Sequence, residues 1–558
     1  MIEKYNFKNI KSIINSLKFS LCLINKVSKA YIPIVYMSGI LSSIFQIIVT
    51  YSIGLIVNSL ESKNITYFIY QCGILLIITI FVIIINSILV YYIIPVIDLK
   101  INKYIKSMLY KINYNIDYSK FETMKYKDKY FFSLENYEQI KIMHNNFSTI
   151  ISSALSFFGI LLIVINIEFN ILIIILLGSV FSALFKIRME KEQFNKVLKE
   201  VSLNRELKYI DITMYSEEFS KEIRVLNITK LLEKMDRVFN KLSLNIKTWS
   251  KTFCTIDILS NLLSKGILII VIIILGVQCI SGQLNLGEFI MLITAAQQIS
   301  FSIQALLQCL PNIISSSLIV SDIRYFVLDN INNDMNNEIT EISEIQFNNV
   351  EFYYDKSIKI FDCLNIKIKK DDRKVLIKGK NGIGKTTLLM LISGVILPKR
   401  GEVRINGIAS SMISKRCLVD QIDIIFQDFK FFSGTIFDNI VNNKDSCNIL
   451  ELDKALDMVG MKKKIYNLPL GLNTVLFNEG KESGINFSKG ELQRLALARA
   501  ICSNSKLVLI DEGFSYCDNE LKQRKQELID YISNKKRVIL VSHDKLDEEK
   551  FDKVIILK

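Results

Sequence analysis

The sequence predicts an α-helical transmembrane domain of six membrane-spanning helices, residues 1–330, fused to an α/β domain of P-loop type, residues 331–558. Three observations predict it. Long Ile/Leu/Val/Phe runs are confined to the first ~325 residues, whereas the remainder has the mixed pattern of an α/β protein with dispersed charge. The octet from Gly379 to Thr386 fits G-x-x-x-x-G-K-[ST] without a gap. Two later apolar strands, Leu507 to Glu512 and Val538 to His543, end in acidic or imidazole side chains. A chain of 558 residues is too long for one core. Its 50% hydrophobic content exceeds what a soluble two-domain protein needs, so the apolar excess requires a bilayer.

The apolar segments are roughly 32–57, 68–97, 147–167, 170–186, 256–281 and 289–310, each long enough or nearly so to cross a ~30 Å hydrocarbon core. Segments one and two, three and four, and five and six are joined by short stretches whose single basic residue is Lys63. The other intervals, about 98–146 and 187–255, are crowded with Lys and Arg. The positive-inside rule therefore places them, both termini and the α/β domain on the cytoplasmic side of a multi-pass cell-membrane protein. Asp257 and Lys265 are charges in the fifth segment. Lys265 falls ~25 Å below the outer surface if Gly282 marks that surface. It either faces a substrate pathway or snorkels at the inner interface. Pro311, just past the sixth apolar stretch, is expected to kink that helix.

In the second half, Val350 to Tyr354 is a β-prone run whose Tyr354 can stack on an adenine ring. Val375-Leu376-Ile377 reads as a strand before the octet and Thr387 to Leu391 as a helix after it, so the motif has its required context. Glycines let the backbone N–H groups wrap the phosphates of a nucleotide triphosphate, Lys385 reaches its β- and γ-phosphates, and the Thr386 hydroxyl ligates Mg²⁺. The strand from Leu507 ends in Asp511, placed to hold Mg²⁺, and Glu512, placed to act as general base on an attacking water. The strand from Val538 delivers His543 to the same sheet edge.

The net charge of +14 agrees with basic cytoplasmic loops, and nucleic acid is not an expected partner. Ten cysteines without a CxxC pair, and two histidines, argue against a zinc site and for reduced thiols. The polar, lysine-bearing start of the chain is no cleavable signal peptide.

The stretch Phe487-Ser488-Lys489-Gly490-Glu491-Leu492-Gln493-Arg494-Leu495-Ala496-Leu497-Ala498-Arg499-Ala500 resembles the signature of the ATP-binding cassette (ABC) family, L-S-G-G-Q followed by the same R-L-A-L-A-R-A run. The resemblance implies a nucleotide-binding set of Tyr354 (A-loop aromatic), Gly379, Asn381, Gly382, Gly384, Lys385, Thr386 and Thr387, with Ser488 and Gly490 in the signature. It makes Asp511 the Walker B aspartate, Glu512 the catalytic glutamate, Gln427 the Q-loop glutamine and His543 the switch histidine, with Thr386, Gln427 and Asp511 around Mg²⁺. Ser515-Tyr516-Cys517-Asp518 is similar to the D-loop, and Glu482-Ser483-Gly484 stands where exporters carry an inter-domain loop.

Six segments followed by an ATPase domain resemble an ABC exporter half-transporter. Tyr118 to Glu122 and Phe219 to Asn227 are similar to the loops that carry coupling helices, and Phe431 to Ile440 to the exporter segment after the Q-loop. The implied function is ATP-driven export by a dimer, with coupling loops pressed on a groove near Gln427. The loop fragments look nearest to bacterial exporters of modified peptides such as lantibiotics, with drug or lipid cargo as the alternative. The start of the chain so near the first segment implies no N-terminal peptidase domain. A membrane ATPase that senses or regulates without moving cargo is the reading from another class. Lys489 and Glu491 depart from the signature's glycine and glutamine. Because the family's signature closes over the partner's γ-phosphate, two readings stand: a homodimer with unusual sites, or a heterodimer in which this chain supplies the weak signature.

Overall fold

The computed structural model describes residues 10–165, 169–215, 219–225, 228–330, 337–354, 359–441, 448–477, 484–517, 519–542 and 547–557. They fall into two compact units, residues 1–111 with 129–329, and 112–128 with 330–558.

The first unit is helical. Among the described residues, five helices are long and apolar enough to cross a membrane: Tyr31–Glu61, Ile65–Asn115, Gln139–Ile165, Thr229–Ile280 and Leu286–Asn330. The expected fourth segment, 170–186, lies in helix Phe169–Tyr215, many of whose side chains are outside the described residues. The helices run far past the apolar segments, because the Lys-, Glu- and Leu-rich sequence beyond the bilayer is itself helix-forming. A π-helical turn, Ile88–Ile93, interrupts the second spanning helix, and the last continues past Pro311 to Asn330.

Small hydroxyl side chains tie the helices together where a bilayer offers no water. Ser148 Oγ donates to the Val35 carbonyl at 2.8 Å, and Ser156 Oγ to Gln46 Oε1 at 3.0 Å. Asp257 Oδ2 accepts from Asn261 Nδ2 at 3.1 Å, and Lys265 is exposed on the same helix.

The second unit holds two sheets. Strands β1 (Ile345–Tyr353), β2 (Lys359–Ile368), β4 (Arg400–Ile405) and β5 (Ile408–Ala409) form an antiparallel sheet in the order β2-β1-β4-β5. Strands β3 (Lys374–Lys378), β6 (Ile422–Ile425), β7 (Leu507–Asp511), β8 (Arg537–Val541) and β9 (Lys553–Ile556) form a parallel sheet in the order β6-β7-β8-β3-β9.

The parallel strands read as continuous apolar runs because they are buried on both faces. Alternate residues serve two cores. Val375 and Ile377 of β3, Leu509 of β7 and Ile539 of β8 join the core that includes β1 and β4. Leu376, Val508, Ile510 and Leu540 join the core that includes Leu495, Leu497 and Ala498 of helix Lys489–Cys502. Because the strands are parallel, the carboxyl ends of β3, β7 and β8 share one edge, which is where the chemistry collects.

Candidate nucleotide site

The phosphate loop leaves β3 and enters helix Lys385–Ile392 through Gly384, whose φ of 102° lies in the left-handed region. A Cβ there would approach Ile360 Cγ2 to 2.5 Å and Phe361 Cζ to 2.9 Å, so glycine is required both for conformation and for room. Asn381 and Gly382 form the exposed tip of the loop. The Lys385 side chain is buried, and its Nζ donates to the carbonyls of Gly379 at 3.0 Å and Lys380 at 3.1 Å. Burial lowers its pKa, against the opposing pull of Glu512 and Asp511. Such an ammonium gains from an anion, and backbone N–H groups at a helix start beside it favour phosphate.

Thr386 Oγ1 donates to Asp511 Oδ2 at 2.5 Å, joining the loop after β3 to the end of β7 across β8. Asp511 is 2% exposed. A hydroxyl and a carboxylate side by side are hard oxygen donors of the type Mg²⁺ takes. Glu512 follows in a left-handed turn of φ 50°, uncommon for a residue with a side chain. Its N–H donates to the Val541 carbonyl at 3.1 Å, and its carbonyl accepts from the Ser515 hydroxyl at 3.0 Å and from Gln493 Nε2 at 3.3 Å. Gln427, just beyond β6, donates from Nε2 to Glu512 Oε2 at 3.0 Å. Tyr354 follows β1, half exposed, its ring edge-to-face with Phe352 at 5.0 Å and its hydroxyl 3.3 Å from Thr387 Oγ1.

Ser488 is the N-cap of helix Lys489–Cys502, in a capping box with Glu491. The Ser488 N–H donates to Glu491 Oε2 at 3.0 Å, and the Glu491 N–H to Ser488 Oγ at 3.3 Å. Lys464 Nζ donates to the other Glu491 carboxylate oxygen. Glu491 is thus a cap residue, a role the S-x-x-E spacing carries and the motif comparison passed over.

Burial raises the Glu491 pKa, but hydrogen bonds from Lys464 and the Ser488 N–H outweigh it and hold the carboxyl below its usual value. A group lowered in the folded state stabilises fully above its unfolded pKa and loses that contribution as pH falls through the folded value. Acidification below the usual carboxylate range is therefore expected to lower the melting temperature of the chain more than that of its Glu491→Gln variant, as differential scanning fluorimetry across pH would show.

Lys489 Nζ lies over the Tyr516 ring, 5.2 Å from its centroid. A Cβ on Gly490 would sit 2.6 Å from the Tyr516 carbonyl oxygen, a backbone atom with little freedom to retreat. Gly490→Ala is expected to displace the 515–517 loop and lower ATP turnover by about 10-fold or more, measured as kcat.

Gln493, fully buried, joins the same loops: its Oε1 accepts from the Tyr516 N–H at 2.8 Å while Nε2 reaches Glu512. Gln493 lies within the motif helix, and no local sequence pattern marks this role. His543, Asp518, Glu482 and Ser483 lie outside the described residues.

The first expected coupling region is tied to the residues that follow helix Lys385–Ile392 and to Lys415. The Tyr118 N–H donates to the Val395 carbonyl at 3.1 Å, Lys399 Nζ to Ser119 Oγ at 3.0 Å, and Lys415 Nζ to the Ile116 carbonyl at 3.2 Å. Burial, and after it the neighbouring Glu122 carboxylate, raise the Tyr118 pKa. These contacts require the 112–128 segment to fold with the second unit, which hydropathy cannot reveal. Of the second coupling region, 220–225 is helical and 226–227 lies outside the described residues.

Residues 361–515 match the family model described as ABC transporter. The chain is 29% identical over 301 residues to the ATP-dependent lipid A-core flippase of Neisseria gonorrhoeae, covering 53% of this chain and 48% of that protein. It is 32% identical over 225 residues to ABC transporter B family member 21 of Arabidopsis thaliana, covering 40% of this chain and 16% of that one. The chain thus spans about half the length, or less, of these curated relatives. Among solved structures, a bacterial Atm1-family ABC exporter with ATP bound superposes with a TM-score of 0.76 at 16% identity, over 98% of this chain and 94% of that one. Residues 361–515, with their phosphate loop, acidic strand end and capped signature helix, thus carry the ABC transporter match, and the chain as a whole has the fold of that exporter.

Proposed function

We propose that this chain is one half of an ATP-driven membrane exporter, in which two copies pair and each site is completed by the partner's signature. The observation that carries the reading is the convergence of Lys385, Thr386, Asp511, Glu512 and Gln427 on one sheet edge of a chain that also bears membrane-length helices. Tyr354 stacks on adenine, the loop from Gly379 to Thr387 wraps the phosphates, and Ser488 and Gly490 close over the partner's nucleotide. Thr386 and Asp511, with Gln427, would hold Mg²⁺, whose charge offsets that of the phosphates when bound. Glu512 takes the proton of the attacking water, Gln427 orients its carboxylate, and His543 is the switch histidine that the resemblance implies. Closure reaches the membrane helices through contacts such as that of Tyr118 with Val395.

The homodimer is favoured because Lys489 has a place in its own chain, on Tyr516, and Ser488 and Gly490 keep the signature's key positions. The cassettes are cytoplasmic, and Asp257 and Lys265 are candidate groups of the substrate pathway. The cargo we infer is a modified peptide, from the resemblance of the coupling-loop fragments. A lipid is the second reading, favoured by the name of the Neisseria relative.

Inside-out vesicles containing the chain are expected to accumulate a labelled lanthionine peptide only with MgATP, and the Glu512→Gln chain to accumulate none. Accumulation or flipping of a labelled lipid instead selects the second reading. ATP hydrolysis with neither would contradict export and favour a sensor.

A further inference from the structure

Beneath the Glu512 turn lies a buried cation to which the ATPase mechanism gives no task. Lys525, the first residue of helix Lys525–Lys535, is 5% exposed. Its Nζ donates to Ser542 Oγ at 3.1 Å and lies over the Phe514 ring, 5.1 Å from the centroid. Phe514 is two residues beyond Glu512, and Ser542 immediately precedes His543. One ammonium therefore ties the turn that carries the proposed base to the strand end that leads to the switch histidine.

The space between them is not solidly packed. A cavity of 40 Å³ is lined by Glu512, Phe514, Lys525 and Ser542, among others. Where packing atoms are missing, polar ties decide how a loop is held, and the Glu512 turn is already in a backbone region that side-chain-bearing residues avoid.

We propose that Lys525 is a positioning residue, which holds the Glu512 turn and the β8 end in the geometry that hydrolysis needs by clamping Phe514 to Ser542. The proposal rests on Glu512 acting as the base, and the test separates the two ideas.

The full chain is purified in nanodiscs as wild type, Glu512→Gln, Lys525→Met and Lys525→Arg. For Lys525→Met, kcat is expected to fall about 10-fold or more while KM for ATP stays within about twofold. Its melting temperature serves as the control for a folding role. Amide hydrogen exchange over 513–517 should quicken about 10-fold. Lys525→Arg, which keeps a cation for the ring and a donor for Ser542, should recover part of kcat.

The proposal is overturned if Lys525→Met keeps kcat within about twofold of wild type, or if kcat, KM and melting temperature fall together, which marks a folding role. Arginine recovering nothing at an unchanged melting temperature overturns it as well. Absence of Glu512-dependent hydrolysis in the wild type would sink the proposed function instead, and exchange over 513–517 then still decides the clamp, unchanged exchange refuting it.

Discussion

Replacing Glu512 by Gln is expected to reduce ATP turnover by about 10²–10⁴-fold, the range for losing a general base, while MgATP still binds and still brings two chains together. The geometry separates the two effects. Glutamine keeps the length and one oxygen that can accept from Gln427, so the turn at φ 50° and its ties to Val541, Ser515 and Gln493 remain. What is lost is the ability to take a proton from water. ATP-dependent association, read by cross-linking or mass photometry, should therefore persist or lengthen while phosphate release stops. Full turnover by this variant would remove Glu512 from the mechanism.

Replacing Lys385 by Met is expected to act one step earlier. Its ammonium is buried against the carbonyls of Gly379 and Lys380, and burial lowers its pKa, so nucleotide phosphate is the anion that best compensates it. Truncating one partner of a buried charge pair costs ~2–5 kcal/mol, so ATP affinity should drop by about 30-fold or more. The fold should hardly notice, because methionine fills the same channel without a charge to desolvate. Equilibrium binding of a fluorescent ATP analogue, with the melting temperature as control, checks both halves. Retained affinity would mean that the octet is not the phosphate site.

Much of the site was legible because its chemistry is written in short, local patterns. The octet from Gly379 to Thr386 needs its glycine at a left-handed position and its lysine at the helix start, and both constraints are consecutive in sequence. Asp511 and Thr386 could be paired in advance, because parallel strands end at one edge. Two kinds of feature were not legible. Tertiary partners far apart in sequence, such as Lys464 with Glu491 or Lys525 with Ser542, carry no local signature, since a lysine reads as solvated surface until the fold buries it. The lengths of the membrane helices were likewise hidden. Hydropathy marks only the part of Thr229–Ile280 that meets lipid, whereas the helix itself continues on propensity through Lys- and Asn-rich sequence. The contact of Tyr118 with Val395 belongs to the first kind, because nothing in Tyr118 to Glu122 names its receptor.

Glu491 is explained by the helix it starts. As a letter it departs from the signature, but as the third residue of a helix capped by Ser488 it is what the helix start prefers. Lys489 likewise departs as a letter, and in the fold it rests on the Tyr516 ring.

The central claim, that this one kind of chain builds complete ATP sites by pairing with itself, is tested most directly by the ATPase activity of the purified chain alone in nanodiscs. Mg²⁺-dependent hydrolysis by discs containing two copies, lost in Glu512→Gln, is the expected result. Hydrolysis that appears only after a second, different subunit is added would contradict it.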